Sequence, residues 1–158
     1  MRDPEEKEFE KGLRYCIRLL SLRARTEHEL EVRLKERGYD EGVRHRILSR
    51  VKHDKLTDDL EFSKEWVEYR IRSARVSVNL LRAELKRKGI DERTVEEAFR
   101  DKADLLDDRK NAAGLIKEKL SGSGSGVSGD VKLKAKLYRL LVGKGYDPET
   151  AEEAVSGE

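Results

Sequence analysis

Apolar residues recur along this chain at helical spacing. Between residues 9 and 22, Phe9, Leu13, Cys16, Ile17 and Leu20 fall on one side of a predicted helix. In the next stretch, "RTEHELEVRLKERG", Thr26 and Glu29 have the spacing of a capping box, each able to satisfy the other's free backbone N–H. Leu30 and Leu34 follow one turn apart, and Gly38 stands where the helix should stop. A third helix is predicted after Asp40, with Val43, Ile47 and Val51 at steps of four.

The order then returns. Asp58 and Glu61 form a second capping box, ahead of Phe62, Trp66 and Tyr69, whose spacing reads as core packing. "VSVNLLRAELKRKG" carries Val78, Leu81 and Leu85 before Gly89, and "DERTVEEAFRDKA" carries Val95 and Phe99 after Asp91. A weaker third copy runs through "LLDDRKNAAGLIKEKL", "VKLKAKLYRLLVGKG" and "DPETAEEAV". In every copy leucines stand four and eight residues before the glycine: Leu30 and Leu34, Leu81 and Leu85, Leu137 and Leu141. "KLTDD" likewise returns as "DLLDD". A kept register of this kind is the mark of a tandem repeat. The expected fold is all-α, three three-helix repeats over residues 1–55, 56–104 and 105–158, with a flexible Gly/Ser segment over 121–129 in the last.

Three joints share one pattern: Gly38 and Asp40, Gly89 and Asp91, Gly145 and Asp147, with Tyr or Ile between. Glycine can end a helix in the left-handed conformation, and aspartate is a favoured N-cap for the next. Pro148 after Asp147 occupies the favoured first helical position. The motif therefore reads as a structural cap that needs no ligand.

Composition narrows the function. The chain has 158 residues, 43% charged and 36% hydrophobic, so the charge is spread over helices that still own an apolar face. No apolar run approaches the ~20 residues that cross a bilayer, and the first residues lack the apolar core of a signal peptide, so a cytoplasmic protein is expected. Cys16 beside an apolar stripe reads as a reduced core thiol. His28, His45 and His53 show no metal-ligand spacing, the paired aspartates 58–59 and 107–108 are better explained as helix starts than as catalytic carboxylates, and no phosphate loop is present. Neither an enzyme nor a cofactor is expected.

The net charge of +2 hides local polarity. Residues 70–88 hold Arg70, Arg72, Arg75, Arg82, Lys86, Arg87 and Lys88 against Glu84 alone. Arg75, Arg82 and Lys86 are placed on one stripe of the repeat's middle helix, with Arg70 and Arg72 approaching from the helix before. The first repeat echoes this with Arg23, Arg25, Arg33, Lys35 and Arg37. Such a surface suits a phosphate backbone or an acidic protein groove, and it also fits a merely solvated face.

Three segments carry a family resemblance. "KLTDDLEFSKEWVEYRIRS" resembles a signature of the RecX family, bacterial regulators of the RecA recombinase, with Ser63 at the usual alanine. "RVSVNLLRAELKRKGID" is similar to a second family segment through Glu84, Leu85, Lys88, Gly89 and Ile90, and "KLYRLLVGKGYDPETAEEAV" to a third. Arg75 or Val76 stands where the family often has glycine, Asn111 replaces the aromatic that Phe62 supplies, the Gly/Ser stretch is an insertion, and the last helix is short. The resemblance implies an elongated, curved monomer that lodges in the groove of a RecA–DNA filament and hinders ATP hydrolysis and strand exchange. Its surface would be drawn from Arg33, Arg37, Arg70, Arg72, Arg75, Arg82, Lys86, Arg87 and Lys88. Single- or double-stranded DNA is a further expected partner, and an alternative is a direct nucleic-acid-binding protein that acts without RecA.

Overall fold

The computed structural model describes residues 1–122 and 129–157, whose regular elements are all helical, without a strand among them. The helices are α1 (Pro4–Leu22), α2 (Glu27–Glu36), α3 (Glu41–His53), α4 (Asp59–Ala74), α5 (Val78–Arg87), α6 (Glu92–Asp101), α7 (Asp108–Leu120), α8 (Val131–Gly143) and α9 (Pro148–Ser156), with a 3-10 turn at Ala103–Leu105. The expected flexible segment lies, over 123–128, outside the described residues. The chain forms two compact units, one of Met1–Ser63 with Leu85–Val95, the other of Lys64–Glu84 with Glu96–Glu158.

In the first unit Cys16, Leu30, Leu34, Tyr39, Val43, Ile47 and Val51 make one buried cluster. Burial pushes the Cys16 thiol up to about 11, so it stays protonated and inert. Ile17, expected on the same side, is 46% exposed. Each helical residue turns 100°, so one place beyond Cys16 already leaves the stripe that Phe9, Leu13, Cys16 and Leu20 share. A comparable correction applies to α4. Its buried positions are Ser63, Val67 and Ile71, while Tyr69 is 60% exposed and Trp66 half-buried. Two stripes of the same helix have the same period, and the larger aromatics drew the expectation to the wrong one.

In the second unit Ala112, Leu115, Ile116, Leu137, Leu141, Tyr146, Ala151 and Val155 cluster. Asn111 is buried, and its Nδ2 donates to the Leu105 carbonyl at 2.9 Å, tying α7 to the 3-10 turn. A polar side chain is tolerated there because it satisfies a backbone acceptor.

The glycine joints share a closed hydrogen-bond pattern. Gly38, Gly89 and Gly145 have φ of +86°, +79° and +92°. The amides of Tyr39, Ile90 and Tyr146 return to the carbonyls of Leu34, Leu85 and Leu141, the long bond of a Schellman cap. Asp40, Asp91 and Asp147 then accept from the amides of Val43, Thr94 and Thr150 at 2.8–2.9 Å.

Two joints also receive a helix N-terminus from earlier in the chain. In the first unit Thr26, the N-cap of α2, donates its hydroxyl to the Lys88 carbonyl at 2.8 Å while accepting from the Glu29 amide. The Glu27 amide donates to Asp59 Oδ1 at 3.1 Å. In the second unit the Ser77 amide donates to the Lys144 carbonyl at 3.0 Å, its hydroxyl accepts from the Leu80 amide, and the Val78 amide donates to Asp108 Oδ1 at 3.0 Å. The adjacent aspartates thus divide their work. Asp58 and Asp107 cap their own helices through the amides of Glu61 and Lys110, whereas Asp59 and Asp108 cap α2 and α5.

Glycine is required at these joints for two separate reasons. A Cβ on Gly89 would collide with the His28 side chain, and one on Gly145 with Ser77 and Leu80, but one on Gly38 meets open space. Gly38→Ala should therefore cost only the left-handed penalty, about 1–2 kcal/mol, and Gly89→Ala should cost roughly 1–3 kcal/mol more for overpacking. Chemical denaturation of both variants measures the difference, and equal losses would contradict the close approach.

The carboxylates of the joints are shifted in opposite directions. Burial holds Asp59 and Asp108 above the usual carboxylate range, against the lowering effect of the amides they accept. That contribution is full below the unfolded pKa and disappears as pH rises through the folded one. The amides of Thr94 and Thr150, then their hydroxyls, hold Asp91 and Asp147 below that range. Their contribution is full above the unfolded pKa and is lost as pH falls through the folded one. Asp91→Asn with Asp147→Asn keeps the capping oxygen without the charge, so the fall in Tm from about pH 7 to about pH 3 should shrink. An undiminished fall would show that these caps do not titrate.

Candidate functional site

Most of the basic residues singled out from the sequence are engaged by carboxylates. On α4 Arg70 grips Glu84 of α5 through Nε at 3.1 Å and Nη2 at 2.7 Å, and the Trp66 indole N–H donates to the same carboxylate at 2.8 Å. Trp66 is half-buried rather than plain core, and it orients the acceptor of Arg70. Arg72 pairs with Glu68 one turn earlier, at 2.8 Å. On α5 Arg82 pairs with Glu96 and lies over the Phe99 ring, 5.1 Å from its centroid.

Arg75 corrects the expected stripe. It belongs to the connector before α5, not to α5 itself, and its φ is +45°. Glycine would enter that conformation at lower cost. Instead Tyr146 donates its hydroxyl to the Arg75 carbonyl, and the guanidinium reaches along α7 to Glu118 at 2.8 Å. Gly114 leaves the room for it, since a Cβ there would meet Arg75 Nη1 at 2.7 Å.

In the first unit Lys88 Nζ reaches Glu29 at 3.2 Å and lies over the Phe62 ring. Arg33 is 3.9 Å from Glu36, and Arg37 stacks on Tyr15 at 4.0 Å. Lys86 and Arg87 are exposed at the end of α5 and have no carboxylate partner among the described residues. The sequence stripe is thus broken into separate ion pairs, with Lys86 and Arg87 as its uncompensated charge. Of these pairings only Glu68–Arg72, at i and i+4, and Arg33–Glu36, at i and i+3, follow a helical spacing rule. Glu84, Glu96 and Glu118 come from other helices.

Comparisons with known proteins agree with this helical layout. The model of the first three-helix domain of RecX matches residues 13–50, and that of the second three-helix domain matches residues 58–98. A protein of Mycolicibacterium smegmatis named Regulatory protein RecX is 35% identical over 159 residues, spanning 99% of this chain and 84% of the relative.

The chain belongs to the RecX family.

Another Regulatory protein RecX, from Amycolatopsis mediterranei, is 32% identical over 155 residues, covering 98% of this chain and 87% of its own length. The crystal structure of RecX from Lactobacillus salivarius superposes with a TM-score of 0.76 at 18% identity, covering 96% of this chain and 97% of that one. A second RecX crystal structure gives 0.73 at 20% identity, over 98% and 74%. These two establish a shared RecX fold. The relatives bear the name of regulatory proteins, and no helix of the described residues is long and apolar enough to cross a membrane.

The ion pairs differ in what they contribute. Arg70 and Glu84 have side chains 26% and 14% exposed and meet through more than one hydrogen bond, so a double-mutant cycle with alanine should give a coupling of about 1–2 kcal/mol. Arg72 with Glu68 is far more exposed on its cationic side and should couple by no more than about 0.5 kcal/mol. Urea denaturation of the two cycles checks the order, and equal couplings would overturn it.

Proposed function

We propose that this chain docks on the nucleoprotein filament of the RecA recombinase and lowers its ATPase and strand-exchange activity. Membership of the RecX family carries this reading. The physical layout supports it. Three-helix modules over 1–55, 56–104 and 105–158, with helix starts hydrogen-bonded to the carbonyls before Gly89 and Gly145, would present a repeated surface rather than a pocket. Mixed charge on that surface favours electrostatic docking and fast association. The chain acts as a cytoplasmic monomer, without cofactor and without catalysing a reaction itself.

The docking surface is drawn from Arg33, Arg37, Arg70, Arg72, Arg75, Arg82, Lys86, Arg87 and Lys88, while Gly38, Asp40, Gly89, Asp91, Gly145 and Asp147 keep the joints closed. Lys86 and Arg87 rank first, because a cation already paired with a carboxylate must give up that partner before meeting a new one.

Titrating the protein into RecA on single-stranded DNA should depress ATP hydrolysis at or below a one-to-one ratio. Lys86→Glu with Arg87→Glu should shift the titration to roughly tenfold higher concentration, about the cost of reversing two contacting charges. An ATPase rate unaffected by equimolar protein would dispose of the proposal.

A further inference from the structure

A second basic cluster shares only Arg37 with the expected surface, and none of its cations has a carboxylate partner among the described residues. On α1, Lys11, Arg14 and Arg18 follow at i, i+3 and i+7, one stripe of the helix. Together with Arg37, at the end of α2, they line a pocket of about 280 Å3 whose remaining walls are Tyr15 and Tyr39. Arg37 lies over the Tyr15 ring at 4.0 Å and Arg18 at 5.6 Å, so the ring holds two guanidinium groups in the pocket. None of the four cations has a carboxylate partner among the described residues, and no carboxylate lines the pocket. In the middle repeat Lys64, Arg70, Arg72, Arg75, Arg82, Lys88 and Lys102 each meet a carboxylate. Four cations without a carboxylate partner, lining one pocket, therefore stand out.

We propose that this pocket binds successive phosphates of a nucleic-acid strand. Four like charges held together repel, and an anion entering the pocket relieves that repulsion. From Lys11 to Arg18 the helix rises about 10 Å, the length of two to three phosphates along one strand. Three of the cations are arginine, whose planar fork matches phosphate oxygens. The pocket offers charge and N–H donors in a line along the helix, with the half-buried Tyr15 ring beneath Arg37 and no carboxylate in its wall. A strand carries evenly spaced phosphates that such a line can follow, and phosphate contacts position it without reading its bases.

The test uses a fluorescein-labelled oligothymidine of about 20 nucleotides and fluorescence anisotropy, with no recombinase present, so it succeeds or fails independently of the filament reading. Arg14→Glu with Arg18→Glu should weaken binding at least tenfold at low salt and reduce the slope of log affinity against log salt by about 1–2. A charge-matched control on α7, Lys117→Glu with Lys119→Glu, should change affinity less than about threefold. Arg14→Gln and Arg18→Gln, which keep helix propensity, should weaken binding in the same order if the reversed pair unfolds. Equal loss in pocket and control variants, or no loss in the pocket variants, overturns the proposal. So does displacement of the oligonucleotide by a polyglutamate of equal charge at equal or lower concentration.

Discussion

The amides at the start of a helix have no partner within it, and in this chain two such helix starts are satisfied by later segments. The N-terminus of α2 gives its Glu27 amide to Asp59 and its Thr26 hydroxyl to the carbonyl before Gly89. The N-terminus of α5 gives its Val78 amide to Asp108 and its Ser77 amide to the carbonyl before Gly145. A buried backbone donor left unmade costs more than the net value of an ordinary hydrogen bond, so these few bonds fix where each helix start must sit. The left-handed glycine is the complement. It turns its carbonyl-bearing neighbour toward the incoming helix and leaves no Cβ in the way.

This arrangement explains why partly buried carboxylates sit at the joints. Asp59 and Asp108 are held above their ordinary pKa by burial, an unfavourable position for a charge. Each is kept there by a helix N-terminus, where backbone donors and the positive end of the helix dipole meet a carboxylate. Asp58 and Asp107, one residue earlier, remain exposed and cap only their own helices. Two adjacent residues of one type thus do different work because a helix points them in different directions.

Local grammar was legible in the sequence where its physics is local. The leucines before each glycine, Leu30 and Leu34 for example, are buried, and Asp58 accepts from the Glu61 amide three residues on. Errors arose where two helix faces compete or where partners are far apart in the chain. Ile17 and Tyr69 lie on the wrong side of stripes whose period was read correctly. Glu84 holds both Trp66 and Arg70, and Glu118 holds Arg75, through pairings that no spacing rule connects. The cations of α1 carry no mark of their own in a sequence whose basic density is highest over residues 70–88. What separates the two groups is compensation, which exists only once helices meet.

One consequence concerns what can be cut away. Residues 1–55 contain all of α1, α2 and α3, yet the acceptors for Thr26 and Glu27 lie at Lys88 and Asp59. A module trimmed at its apparent boundary keeps its helices and surrenders the groups that close them. The three-helix segment and the bonds that close its second helix are therefore out of phase along the chain.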